Sequence, residues 1–177
     1  MIELVLGGAR AGKSTWALAR VEALAPSGPI AFVATATAGD DEMAARIAAH
    51  RAERASRFVT VEEPWALPDR LPALAATHAA VVVDCLTLWV ANRLLAVDAR
   101  DDDVAAAIRA LADALPGLAA PVVFVTNEVG LGIVPADPLT RRYRDHLGRC
   151  NQAVAAAADR VTLLVAGLPL HVKGGAP

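Results

Sequence analysis

The stretch Ile2-Glu3-Leu4-Val5-Leu6-Gly7-Gly8-Ala9-Arg10-Ala11-Gly12-Lys13-Ser14 decides the fold. An apolar run of strand character opens into a glycine-rich turn, and Lys13 to Leu24 then follows a helical period. Gly7 to Ser14 fits GxxxxGK[ST] in full, with strand, loop and helix in the order that motif requires. The glycines let the backbone close around phosphate oxygens, so that successive N–H groups point inward and the new helix adds its positive end. Lys13 is then the cation for the β- and γ-phosphates, and the Ser14 hydroxyl a ligand for Mg²⁺.

A magnesium site of this kind needs a carboxylate at the end of a neighbouring strand, and Val81-Val82-Val83-Asp84 supplies one. Outward from these two stretches, further apolar runs at Ile30 to Ala34, Phe58 to Glu62, Ala80 to Val83, Val122 to Thr126 and Val161 to Val165 read as strands, the last closing the series. Between them lie helical stretches at Asp41 to Ala55, Leu86 to Leu95, Asp101 to about Pro116 and Leu139 to Ala158, with a weaker one dotted by Pro64, Pro68 and Pro72. The acidic run Asp101 to Asp103 suits a helix N-terminus and needs no other role. Alternating, almost wholly apolar strands indicate an α/β fold with a mostly parallel sheet flanked by helices, in a single P-loop domain over residues 1–177.

The composition sets limits on function. With 55% hydrophobic and 20% charged residues the chain has material for a core, which excludes a disordered protein. A net charge of -2 argues against a general binder of nucleic acid or membrane surface. Charges interrupt every apolar run, and no signal peptide shows at Met1, so a cytoplasmic location is expected. Lys13 and Lys173 are the only lysines. Cys85 and Cys150 form no CxxC pattern and read as reduced, mostly buried thiols. A signalling GTPase is disfavoured, because Asp84 is followed by Cys85-Leu86-Thr87 and Asn127 by Glu128, in place of a DxxG loop and an NKxD base reader.

Arg46, His50 and Arg54 are spaced four apart and share one helical stripe. Neighbouring guanidinium groups favour the neutral, nucleophilic imidazole and can offset charge that develops on phosphate. From spacing alone a solvated, salt-bridged helix with an incidental histidine is the better reading.

The chain as a whole resembles the bifunctional adenosylcobinamide kinase/adenosylcobinamide-phosphate guanylyltransferase family. The resemblance runs through Gly7 to Ser14, Ala34-Thr35-Ala36, Asp41 to Ile47 with His50-Arg51, Val83 to Trp89 with Asn92, Thr126 to Gly130, Ile133 to Pro135, and Tyr143 to Arg149 with Asn151-Gln152. It departs at Ala11, where serine is common, and at Asp84, where some members carry Glu.

The resemblance implies a RecA-like domain, assembled as a homo-oligomer and in the family as a trimer, acting on adenosylcobinamide and its phosphate. It implies ATP or GTP as phosphoryl donor with Mg²⁺, and His50 as the nucleophile that takes GMP from GTP. It also implies nucleotide contacts from the Gly7–Ser14 loop, Ala34, Thr35, Ala36, Arg51, Ala52, Glu53, Arg54, Glu62 and Asp84. Asn92, Asn127 and Glu128 are candidates for corrinoid contact. Two other readings remain open on the residues alone. One is a small-molecule or nucleoside monophosphate kinase with Arg141, Arg142 and Arg144 as a lid; the other is a non-catalytic GTP-binding regulator.

Overall fold

The computed structural model describes residues 1–37 and 56–175. The elements in chain order are β1 (Ile2–Gly7), α1 (Lys13–Leu24), β2 (Ile30–Ala34), β3 (Phe58–Glu62), α2 (Leu67–Thr77), β4 (Ala80–Asp84), α3 (Leu86–Leu95), α4 (Asp101–Ala114), β5 (Val122–Val125), α5 (Pro138–Ala157), β6 (Arg160–Val165) and β7 (Leu168–Lys173). The helix expected from Asp41 to Ala55 lies outside the described residues.

Among the described residues seven strands form one sheet in the order β3-β2-β4-β5-β1-β6-β7. All neighbours run parallel except β6 and β7. The central strands are apolar on both sides because both sides are covered. On one face, Ala17 and Val21 of α1 pack against Val5, Phe32, Val82, Val123 and Leu164. On the other, α2 to α5 set Leu71, Trp89, Leu111 and Leu147 against Leu4, Val33, Val83 and Phe124. Each helix of this second layer is amphipathic: α4 buries Val104, Ala107, Ile108 and Leu111 behind an acidic first turn of Asp101 to Asp103.

α5 begins at Asp137, whose carboxylate accepts from the Thr140 amide at 2.7 Å, and Pro138 occupies a first-turn position where no N–H is needed. The proline-dotted stretch is a full helix, α2. Pro68 sits in its first turn, and burial of Leu67, Leu71, Leu74 and Ala75 outweighs the break expected at Pro72.

β7 was not expected, since Val161 to Val165 reads as the last strand. Ala166 and Gly167 both adopt positive φ (50° and 82°), the two-residue turn whose twist suits an antiparallel hairpin. The chain then returns along β6, with Val165 opposite Leu168 and Leu163 opposite Leu170.

The parallel register brings one row of residues to the C-terminal edge of the sheet. Glu62 is level with Ala34, Ala34 with Asp84, and Asp84 with Val125 beside Val5. Ligand sites of open parallel sheets lie outside that edge.

Candidate active site

β1 ends at Gly7, level with Leu164 of β6. A Cβ at Gly7 would lie 2.7 Å from the Leu164 carbonyl oxygen, so only glycine lets the two strands pair there. The loop then turns tightly. The Ala11 amide donates to the Gly8 carbonyl at 3.3 Å, and the Lys13 ammonium reaches back to the same oxygen at 2.6 Å. Gly12 takes φ +90° at the N-cap of α1, a left-handed conformation that a side chain makes costly. Gly12 caps this helix without a side chain, so the amides of its first turn have no side-chain acceptor from the N-cap position.

Two neighbours fix the loop from outside. The Glu128 amide donates to Gly7 O at 3.2 Å, and the Gly167 amide donates to Ala11 O at 3.1 Å. The second contact comes from the β6–β7 turn, so the unexpected hairpin buttresses the loop. Gly167 is a structural residue of the site that the sequence reading missed. Its signal was an Xaa-Gly pair between an apolar strand and the alternating Leu168-Pro169-Leu170-His171-Val172-Lys173.

Ser14, in the first turn of α1, donates its hydroxyl to Asp84 Oδ2 at 2.9 Å. β5 alone separates their strands, and both side chains emerge at the same edge of the sheet. A hydroxyl and a carboxylate at this spacing suit a hard divalent cation that takes its remaining ligands from phosphate and water. Among the described residues no group of three or more His, Cys, Asp or Glu forms an all-protein metal cage.

Lys13 is 9% exposed, and burial pushes its ammonium below the usual lysine range, against the opposing pull of Cys85 and Asp84. The Cys85 thiol is itself pushed up to about 11, first by burial and then by the Asp84 carboxylate. At neutral pH the thiol therefore keeps its proton.

Behind the site a polar ring pins the loops. The Thr35 hydroxyl donates to Cys85 O at 2.7 Å and accepts from Cys85 N at 2.8 Å, while Thr35 N donates to Asp84 O at 3.2 Å. Asn92 Nδ2 donates to Thr35 O at 2.8 Å and Pro64 O at 3.2 Å. Asn127 N donates to the Thr87 hydroxyl at 2.8 Å, and Asn151 joins Thr126 Oγ1 (2.8 Å) to Asn127 O (3.1 Å).

The structure thus draws Gly7 to Ser14 and Asp84 into one site. Ala34 and Thr35 are buried beside it, and Ala36 is partly exposed. Glu62 is exposed two strands from Asp84, about 10 Å away at the usual strand spacing. The Asn92 amide donors and the Thr35 hydroxyl are bonded to backbone groups. His50, Arg51, Ala52, Glu53 and Arg54 lie outside the described residues.

A lysine-bearing glycine loop between a central parallel strand and a helix, with a Ser–Asp pair beside it, defines a P-loop nucleotide-binding protein. The solved folds agree. A solved ATPase domain matches with a TM-score of 0.54 at 14% identity, covering 92% of this chain and 68% of that one. The flagellar accessory protein FlaH from Methanocaldococcus jannaschii matches with a TM-score of 0.50 at 14% identity, covering 97% and 77%. At such identities they show the fold alone, a RecA-like one.

The family model for cobinamide kinase/cobinamide phosphate guanyltransferase matches residues 3–172. The bifunctional adenosylcobalamin biosynthesis protein CobP of Pseudomonas aeruginosa is 46% identical over 176 residues, covering 98% of each chain. The corresponding protein CobU of Salmonella typhimurium is 42% identical over 185 residues, covering 98% of this chain and all of that one. The chain belongs to the cobinamide kinase/cobinamide phosphate guanyltransferase family.

Proposed function

We propose that the loop at Gly7 to Ser14 binds ATP or GTP for phosphorylation of adenosylcobinamide, and GTP for guanylylation of the resulting phosphate. The observation that carries this reading is the Ser14–Asp84 pair at 2.9 Å beside Lys13, in a chain matched to the family from residue 3 to 172. Ser14 and Asp84 would hold Mg²⁺, which when bound draws charge from the phosphate oxygens. Lys13 and the first-turn amides of α1 then position the triphosphate.

In the kinase reaction the hydroxyl of the aminopropanol arm attacks the γ-phosphorus. The bond from that phosphorus to the β,γ-bridging oxygen breaks, a nucleoside diphosphate leaves, and the hydroxyl proton passes to solvent. In the transferase reaction a neutral His50 ring nitrogen attacks the α-phosphorus of GTP, and pyrophosphate leaves with the bridging oxygen. An oxygen of adenosylcobinamide phosphate then attacks the same phosphorus. The phosphorus–nitrogen bond breaks, His50 is restored, and adenosylcobinamide-GDP forms. Support for His50 is its place between Arg46 and Arg54 in a stretch that resembles the family.

A homo-oligomer, as a trimer, and a cytoplasmic setting complete the proposal. Val165, Leu168, Leu170 and Val172 are exposed on one face at the β7 edge, a surface suited to a second copy. No helix among the described residues is long and apolar enough to cross a membrane. The reading as a simple kinase with an arginine lid has less support. Arg141 already donates to Pro135 O and Ala136 O, and Arg142 is paired with Asp101 at 2.9 Å.

The test supplies adenosylcobinamide, Mg²⁺ and GTP and separates the corrinoid products. The proposal expects the phosphate to appear first and the GDP derivative after it, with both lost in Lys13→Ala. Phosphate that never becomes the GDP derivative would leave the kinase reading alone.

A further inference from the structure

Beside the nucleotide loop the protein carries an apolar depression that the phosphate chemistry does not use. Ala91 and Leu95, one turn apart on α3, face Leu139, Thr140 and Tyr143 on α5 across a cavity of about 220 Å³. None of these five side chains is charged, and the Thr140 hydroxyl is committed to Asp137 Oδ2 at 2.7 Å. Leu95 is 66% exposed and Leu139 41%, both beyond what burial in this chain alone would satisfy. The segment leading into α5 adds Leu131, Ile133 and Val134, at 88%, 97% and 59% exposure. A depression lined only by uncharged side chains, with Leu95 and Leu139 exposed on it, is prepared for an apolar ligand.

The depression is tied to the reaction centre. Thr87, Ala91 and Leu95 are spaced four apart on α3, and Thr87 lies three residues after Asp84. The Thr87 carbonyl accepts from Tyr143 Oη at 3.4 Å, and its hydroxyl from the Asn127 amide at 2.8 Å. The next amide, Glu128 N, donates to Gly7 O. Walls of the depression and the phosphate loop are therefore joined through three hydrogen bonds. Along α3 the depression starts about 6 Å from Thr87 and reaches about 12 Å from it, at 1.5 Å per residue.

Resting on the two-reaction reading above, we infer that this face seats the corrin macrocycle of adenosylcobinamide. The acceptor hydroxyl hangs on a flexible side arm of the ring, so the ring must lie beside the nucleotide rather than on it, as this placement provides. A second nucleotide is the wrong occupant, because its phosphates would meet no cation in the wall. A cavity of about 220 Å³ takes one edge of the macrocycle with its methyl groups. The peripheral amides of the ring remain in water at the open rim.

The test uses the full chain with the variants Leu95→Gln and Leu139→Gln, and Val97→Gln as a control that is 92% exposed and outside the cavity. Adenosylcobinamide binding is read from the visible absorption of the corrin, and GTP binding is titrated separately. Each cavity variant should weaken adenosylcobinamide about 10-fold, the affinity equivalent of losing one apolar side-chain contact. Val97→Gln should bind it as wild type does, Leu139→Met should keep most of the affinity, and GTP affinity should stay within about twofold in all. Unchanged corrinoid affinity in both cavity variants overturns this seat while leaving the two-reaction reading intact. An equal loss of GTP affinity also overturns it. A wild-type protein that binds GTP but no adenosylcobinamide overturns the two-reaction reading itself.

Discussion

Alanine placed in turn at Gly8, Gly12 and Gly7 separates three physical causes within one loop. At Gly8 an added Cβ meets nothing within 4 Å, so Gly8→Ala should change stability by less than about 0.5 kcal/mol. At Gly12 there is room, since the nearest atom is Gly167 Cα at 3.5 Å, but φ is +90°. Holding alanine in the left-handed region costs about 1–2 kcal/mol. The stiffer unfolded chain returns about 0.4–1 kcal/mol of that, leaving a net loss near 1 kcal/mol. At Gly7 the new methyl would sit 2.7 Å from Leu164 O and 3.3 Å from Ala11 Cβ, in a residue paired with Leu164 in the ladder. Relief requires β1 and β6 to part, and the loss should reach about 2–3 kcal/mol.

Urea unfolding without nucleotide gives the three values, and a Tm shift of about 2–4 °C per kcal/mol is expected for a chain of this size. GTP titration of the folded variants then reads function apart from stability. Gly12→Ala should bind at least about 10-fold more weakly, because the first amides of α1 are re-aimed. An order other than Gly8, Gly12, Gly7 in rising cost would refute the steric account of the loop.

Other outcomes follow from single contacts. Asp84→Asn keeps the shape of the Ser14 contact but removes the charge, so the Mg²⁺ needed for half-maximal corrinoid phosphorylation should rise at least about 10-fold, as a Mg²⁺ titration would show. Arg20→Met strands the Glu3 carboxylate, which is 1% exposed and bonded to Arg20 Nε at 2.7 Å, with the Thr162 hydroxyl at 3.4 Å left to it. The loss should be about 3–5 kcal/mol by urea unfolding, and Glu3→Leu with Arg20→Met should recover most of it. Burial raises Cys85 to about 11 and Cys150 to about 12, so iodoacetamide at pH 8 should label the native protein at least about 100-fold more slowly than the unfolded chain. The folded thiols keep protons that unfolded ones lose. Their contribution to stability is therefore whole below the unfolded pKa near 8.5 and falls away as pH climbs toward about 11 and 12. A flat urea midpoint from pH 8.5 to 11 would contradict this.

The parallel core was legible because β2, β4 and β5 are apolar on both sides, and a residue run of that kind has few other uses. The nucleotide loop was legible because its chemistry requires particular residues at fixed spacing. The Ser14–Asp84 contact joins residues 70 positions apart, yet each end of it was marked locally, by the loop motif and by a strand closing on a carboxylate. β7 escaped because Pro169 and His171 interrupt its apolar character, although its Leu168, Leu170 and Val172 alternate as an edge strand should. The committed state of Asn92 and Thr35 was not legible at all. Their hydrogen bonds reach Thr35, Pro64 and Cys85, partners 28 to 57 residues away that only the folded sheet brings within range. The depression between α3 and α5 was hidden for the same reason, since it belongs to two helices at once.

The most direct test of guanylyl transfer follows the α-phosphate. Protein is incubated with Mg²⁺ and GTP labelled at the α-position, denatured, and examined for label on the chain, with γ-labelled GTP, His50→Ala and Lys13→Ala alongside. Acid-labile, alkali-stable α-label that disappears in His50→Ala, and that passes to added adenosylcobinamide phosphate in the native protein, is the predicted result. Absence of α-label at GTP concentrations that saturate the site would contradict guanylyl transfer through His50.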